Sequence, residues 1–248
     1  MPREFGPWQT LWKRHAAWSA DGTWARILAE LQARADELGE LDWLVGVDSS
    51  IVRAHQHAAG ARRRGARLNH KSRPRSRPEQ ALGRSRGGWS TKIHLAVEGG
   101  GRPLALHLNG GHTSDTTQLE RVLAKVSVPR AGPGRPRSRP ARVIADKGYS
   151  SRANRRLLRR RGIGAVIPER DDQLANRRRR GRRGGRPYGF DAEAYRDRNL
   201  VERGFNPFKQ WRGLATRYDK TATNYLGGLQ LASAIMWADD LAHSGDRP

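Results

Sequence analysis

The chain has 248 residues, with 48 Lys plus Arg against 24 Asp plus Glu and a formal net charge of +24. Hydrophobic residues make up 36% and there is no Cys, which allows one large or two small folded domains and excludes disulfide scaffolds, thiol catalysis and Cys-ligated zinc. No apolar run approaches the ~18 residues of a membrane span, no export signal opens the chain, and a charge this positive points to a polyanion: nucleic acid first, an anionic membrane surface second.

Only seven of the cations are Lys. Arg forks phosphate bidentately, although GC-rich coding would give the same bias.

The segment to about residue 40 reads as helical. Trp24, Ile27, Leu28, Leu31, Ala35 and Leu38 recur at three and four, Asp21 or Thr23 can cap the start, and Gly39 can end it. Aromatics at 8, 12, 18 and 24 are expected to be core. A strand is expected over 42–48 and a shorter one over 51–55. Residues 62–86 carry nine Arg and Lys71 against Glu79 alone, the composition of a basic loop. Thr91 to Glu98 alternates, Gly99 to Arg102 can turn, and Leu104, Leu106 and Leu108 alternate again, which is a hairpin. Ser114 or Asp115 can cap a helix carrying Leu119, Val122, Leu123 and Val126. Residues 127–141, rich in Pro, Gly and Arg, read as a linker. A buried strand is expected at 142–146, a basic helix over 151–161 and a short strand at 164–168. Residues 177–186 hold seven Arg and should be exposed; a helix follows from about 191, and a last one spans about 223–240. Strands that pair locally first and alternate with helices later suit a mixed α/β sheet with helices on its faces.

Acids are scarce, so Asp48 and Asp146 stand out at the ends of apolar strands, a common place for function. Each could equally be a turn or cap residue. Tyr195, Arg198, Glu202 and Lys209 lie at spacings of three, four and seven, one face of a continuous helix. That face is either a solvated, salt-bridged surface or a carboxylate set beside cations that grip phosphate. Three carboxylates from separate segments can hold two divalent cations, which clamp the attacking and leaving oxygens of an in-line phosphoryl displacement. His94 and His107 read as ordinary strand residues; His55 and His57 could border the site, and Trp89 could be core or stack on a base.

Several blocks in order carry a resemblance. They run from Phe5-Gly6-Pro7-Trp8 and Asp21-Gly22-Thr23-Trp24 through Val47-Asp48-Ser49-Ser50, Gly87-Gly88 with Thr91-Lys92-Ile93-His94, and Gly111-His112-Thr113-Ser114-Asp115. They continue through Ala145-Asp146-Lys147-Gly148-Tyr149 to Arg198-Asn199-Leu200-Val201-Glu202-Arg203 and Thr216-Arg217-Tyr218-Asp219-Lys220. The sequence resembles the DDE transposases of bacterial insertion sequences, in the insertion-sequence-five group, over nearly its whole length. The resemblance implies an RNase H-like mixed sheet flanked by helices over 41–242, with basic loops at 60–88, 127–141 and 170–189, behind a short helical segment over 1–40. It implies Asp48, Asp146 and Glu202 as catalytic ligands of two divalent cations, Mg or in vitro Mn, and Tyr195, Arg198 and Lys209 as DNA contacts. The implied activity is cleavage of DNA at the element ends and strand transfer into target DNA, by a homodimer on DNA in the bacterial cytoplasm at the nucleoid.

The pattern departs from the family twice. The family's DNA-binding helices before the Phe-Gly-Pro-Trp block are not in this sequence, which leaves a truncated, inactive DNA-binding remnant as the alternative. Pro207 falls between Glu202 and Lys209, where it is expected to break or kink the helix.

Overall fold

The computed structural model describes residues 3–60 and 76–244. Helices α1 (Trp8–Ala20) and α2 (Thr23–Glu37) lead into β1 (Leu44–Arg53) and the short α3 (Gln56–Ala59). Strands β2 (Ser76–Arg77), β3 (Leu82–Ser85), β4 (Gly88–Val97) and β5 (Pro103–Gly110) precede α4 (Leu119–Leu123). β6 (Arg142–Ala145), α5 (Arg152–Arg160), β7 (Gly164–Val166) and α6 (Asp171–Arg179) follow. The chain closes with α7 (Asn199–Gln210), α8 (Arg212–Ala215) and α9 (Ala222–Ser244).

The seven strands form one mixed sheet in the order β2-β3-β4-β1-β6-β7, with β5 also paired to β4. β1 runs antiparallel to β4 and parallel to β6, and β6 is parallel to β7. This sheet with helices on both faces is the RNase H-like arrangement that the resemblance implies.

Alternation along β1 divides the core. Val45 and Val47 pack into one layer with Leu28 and Ala35 of α2, Leu119 and Val122 of α4, and Leu158 of α5. Val52 joins Ile93, Leu95 and Ile144 in the other layer, under Leu200, Val201 and Phe205 of α7. Two glycines allow α7 to lie close. A Cβ at Gly46 would run into Leu200, and one at Gly204 would stand 2.6 Å from Val97 Cγ1 and 2.8 Å from the Gly101 carbonyl.

The free edge of β5 is covered, which removes a pairing hazard. Trp237 of α9 donates its indole N–H to Pro103 O at 2.7 Å, and the Gln32 amide donates to Pro103 O and Leu104 O. At the far end of β1, Arg217 is wholly buried yet satisfied. It donates to Gln80 O, Thr91 Oγ1, Asp219 O and Lys220 O, and burial brings its pKa down to about 10. No helix among the described residues is long and apolar enough to cross a membrane.

Local expectations fared unevenly. The N-cap of α2 is Gly22 and not Asp21 or Thr23; Asp21 holds the start from one residue further out, accepting from the Thr23 backbone N–H at 2.9 Å, and Gly39 ends the segment in the left-handed region. The aromatics of α1 are not core: Trp8, Trp12 and Trp18 are exposed. His15 meets Asn224 O and Ser19 lies against Gly227, so each turn back along α1 steps toward the start of α9, and Trp8 and Trp12 overhang it. The expected strands 42–48 and 51–55 are one strand, because β4 pairs with β1 as far as Arg53. Of the basic stretch 60–88, residues 61–75 lie outside those described, and the remainder forms β2, β3 and the start of β4. The stretch 170–189 is not all loop, since α6 occupies Asp171–Arg179. Nor does Pro207 end its helix, which continues to Gln210. The proline stands in the last turn, where only the Arg203 carbonyl loses its usual N–H partner.

Candidate functional site

The parallel register of β1 and β6 ends at Val47↔Ala145. Asp48 and Asp146 therefore follow side by side on neighbouring strands, whose spacing is about 4.8 Å. Residues two apart share a face, so Asp48 follows Gly46, and Asp146 follows Ile144, onto the side covered by α7. Asp48 does not end its strand, as the sequence suggested. It is β6 that stops there, passing into a 3-10 turn over Lys147–Tyr149. Both carboxylates are held by local backbone: Asp48 Oδ1 accepts from Ser49 N at 2.7 Å and Asp146 Oδ1 from Gly148 N at 2.9 Å. Burial raises the Asp48 pKa, the Ser49 N–H opposes that, and the Asp146 charge raises it again.

Arg198 joins Asp48 to the third predicted acid. Its Nη2 lies 3.5 Å from Asp48 Oδ2 and its Nη1 3.3 Å from Glu202 Oε1. Glu202 is the outer member, with its side chain 55% exposed against 22% for Asp48. Tyr195 and Arg198 belong to a 3-10 turn over Ala194–Arg198, not to the helix that carries Glu202 and Lys209. Tyr195 is half-buried beside Phe190, and its hydroxyl pKa is raised, chiefly by burial. Lys209 stands exposed seven residues after Glu202, about 10 Å along α7.

Behind Asp48, on the opposite face of β1, lies a second polar cluster that the sequence reading did not assign. Ser49 Oγ donates to Asp115 Oδ1 at 2.7 Å, and Lys92 Nζ reaches the same oxygen at 3.0 Å. Nearby, Thr116 Oγ1 donates to the Gly148 carbonyl, which ties this segment to the turn after Asp146. One signal was available in the sequence: Lys92 and His94 interrupt an otherwise apolar strand. His94 is wholly buried, stacks on His107, and burial brings its pKa down to about 4. His55 instead caps α3, with its ring against His57 and Tyr218. Trp89 packs against Ala54, Ala58 and Leu82.

Among the described residues, no three of His, Asp and Glu already stand in a metal-sized group. Asp48 and Asp146 each follow the last paired residue of the β1–β6 register, and Glu202 is linked to Asp48 through the Arg198 guanidinium. The donor set still fits hard divalent cations, being carboxylate oxygen throughout. The wholly buried Tyr149 hydroxyl lies near Asp48, Asp115, Asp146 and Ser49.

An RNase H-like sheet bearing two adjacent carboxylates beneath a helix that carries a third defines the class to which the sequence blocks point. The chain belongs to the transposase DDE domain family, whose model matches residues 40–237. A Burkholderia cepacia protein named as a candidate transposase for insertion sequence element IS402 is 41% identical over 80 residues, 32% of this chain and 38% of that one. A Sinorhizobium fredii protein, y4sN, is 44% identical over 69 residues, 27% of this chain and 51% of that one. A Brucella ovis protein named as a candidate transposase for element IS6501 is 29% identical over 148 residues, 60% of this chain and 98% of that one. The chain thus spans about 38% and 51% of the first two relatives. Among solved structures, a chain of a pre-cleavage Mos1 transpososome is similar at a TM-score of 0.30 and 14% identity, covering 90% of this chain and 62% of that one.

Proposed function

We propose that the chain is the catalytic part of an insertion-sequence transposase that cleaves DNA at the element ends and joins the freed ends to target DNA. The observation that carries this reading is the adjacency of Asp48 and Asp146, with Arg198 linking Asp48 to Glu202. Asp48, Asp146 and Glu202 would hold two divalent cations, Mg or Mn. When bound, these lower the pKa of the nucleophile and stabilise charge on the leaving oxygen.

The chain's own residues supply position and charge. Asp48 and Asp146 are fixed by the sheet register and by the Ser49 and Gly148 N–H groups, so little reorganisation is needed at reaction. Arg198 lies where it can move from the two carboxylates onto a phosphate oxygen, to which a guanidinium binds bidentately. Tyr195 and Lys209 would contact DNA on either side of it. In the first step water attacks phosphorus and the bond to the 3′ oxygen breaks, leaving a 3′-hydroxyl. In the second, that hydroxyl attacks a target phosphodiester and displaces another 3′ oxygen. A homodimer on DNA would bring the two element ends together.

The test is nicking of DNA that carries the element ends, in Mg or Mn. Asp48→Asn, Asp146→Asn and Glu202→Gln should each abolish nicking and leave binding intact. A chain that binds this DNA and never nicks it with either ion is the inactive remnant instead.

A further inference from the structure

Almost half of the chain's excess charge lies in one stretch. Residues 151–189 hold 14 Arg against three acids, Glu169, Asp171 and Asp172. All three acids are engaged: Glu169 by Arg177, Asp171 by Lys147 and Asp172 by Arg170. Arg152, Arg156 and Arg159 of α5 are exposed and make no ion pair among the described residues, and the same holds for Arg180, Arg182 and Arg183 after α6. Among the described residues, no acid neutralises these six cations.

Four of them line two adjoining hollows that share Arg152, Arg155 and Tyr188 and together make one groove, while Arg182 and Arg183 stand beyond its Arg180 end. Arg152, Arg156 and Arg159, with Gly164 of the edge strand β7, form one part, and Arg180 with the turn over 184–186 forms the next. Tyr188 lies between the two parts and is held rather than loose. The Arg155 guanidinium sits 4.3 Å from its ring and that of Arg177 5.2 Å. Arg155 is itself buried and donates to Ile167 O at 2.7 Å, while Arg177 pairs with Glu169. The groove is therefore a prebuilt floor flanked by uncommitted arginines.

Its chemistry selects the ligand. Arg152, Arg156 and Arg159 share one face of α5 at i, i+4 and i+7 and cover about 10 Å of axis, the rise of three steps along one strand of a duplex, a span holding about four successive phosphates. A membrane surface fits poorly, because the helix apolar residues Leu157 and Leu158 are turned into the core and leave nothing to insert. One end of the groove begins at Ser150, next to the turn that follows Asp146.

We propose that this groove along the β7 edge is a binding site for the sugar–phosphate backbone of duplex DNA, separate from the carboxylate site and leading into it. That the polymer is DNA rests on the function proposed above; the grip on phosphate rests on the groove itself.

The experiment measures DNA affinity against salt for the full chain and two triple variants. One is Arg152→Ala, Arg156→Ala, Arg159→Ala. The other, Arg130→Ala, Arg135→Ala, Arg139→Ala, removes equal charge from the 127–141 linker. None of the six side chains is buried. Each lost phosphate contact should lower the slope of log affinity against log salt by about one, so the groove variant should lose about three and weaken binding about 10- to 100-fold. The linker variant should lose less than one. Equal losses in both variants, or no loss in the groove variant, would overturn the proposal. So would duplex RNA binding as tightly as DNA with the same dependence on the groove arginines. Nicking by the groove variant separates the two readings. An unchanged slope in the groove variant with metal-dependent nicking removes the groove alone; a slope lowered in the groove variant, with a wild type that never nicks, removes the catalytic reading alone.

Discussion

The Arg198 guanidinium stands 3.5 Å from the Asp48 carboxylate and reaches Glu202 with its other nitrogen. A cation that holds both acids competes with that guanidinium. Exposed and partly exposed ion pairs are worth up to about 1 kcal/mol, equivalent to about fivefold in affinity. Arg198→Gln should therefore bind Mn about three- to fivefold more tightly, read by the ion's paramagnetic effect on solvent water, while nicking falls because a phosphate contact is lost. Unchanged Mn affinity would mean that the guanidinium does not stand in the cations' place.

The distance between α7 and the sheet sets where Glu202 stands. Gly204 is the less yielding of the two close approaches because its neighbours include the Gly101 backbone, which cannot swing aside as a leucine terminus can. Gly204→Ala should push α7 outward, costing about 1–3 kcal/mol of stability as overpacking does. Nicking should fall by more than the loss of folded protein explains. Thermal melting and nicking measured together check this; a stable, fully active variant would contradict it.

His94 gives the fold a pH dependence with a definite sign. Its pKa is about 4 in the folded protein, against an ordinary 6.5, because burial outweighs the help of Asn109 and Asp115. The folded state therefore binds fewer protons between these values, so the stability linked to His94 is complete above about pH 6.5 and is lost as pH falls toward 4. The whole effect is on the order of 3 kcal/mol. Denaturant midpoints from pH 7 to 4 should fall steeply for the wild type and less for His94→Leu; parallel curves would show that His94 does not titrate across folding.

What the sequence revealed followed the range of the interactions involved. The alternation of Thr91 to Val97, Asp21 at the start of α2 and the apolar run before Asp146 are local patterns, and each corresponds to an element found. The register that brings Val47 beside Ala145, and so sets Asp48 and Asp146 at one end of the sheet, is not legible, because a parallel pairing between segments about a hundred residues apart leaves no local trace. The Ser49–Asp115–Lys92 cluster was missed for the same reason, although a lysine inside a buried strand asks for a partner. Trp8 and Trp12 misled because helical periodicity reports an apolar face and not what covers it. Tyr195 and Arg198 were assigned to one helix with Glu202, but spacing alone does not distinguish a 3-10 turn from the helix that follows it.

Asp48, Asp146 and Glu202 are expected to close on shared cations once Arg198 leaves. Crystals soaked in Mn and measured for its anomalous scattering test it most directly. Signal is expected within about 2.0–2.3 Å of carboxylate oxygens from Asp48 and Asp146, with Glu202 turned inward and Arg198 withdrawn. Mn-soaked crystals with no signal there, and with the Arg198 guanidinium still on Asp48, would contradict it.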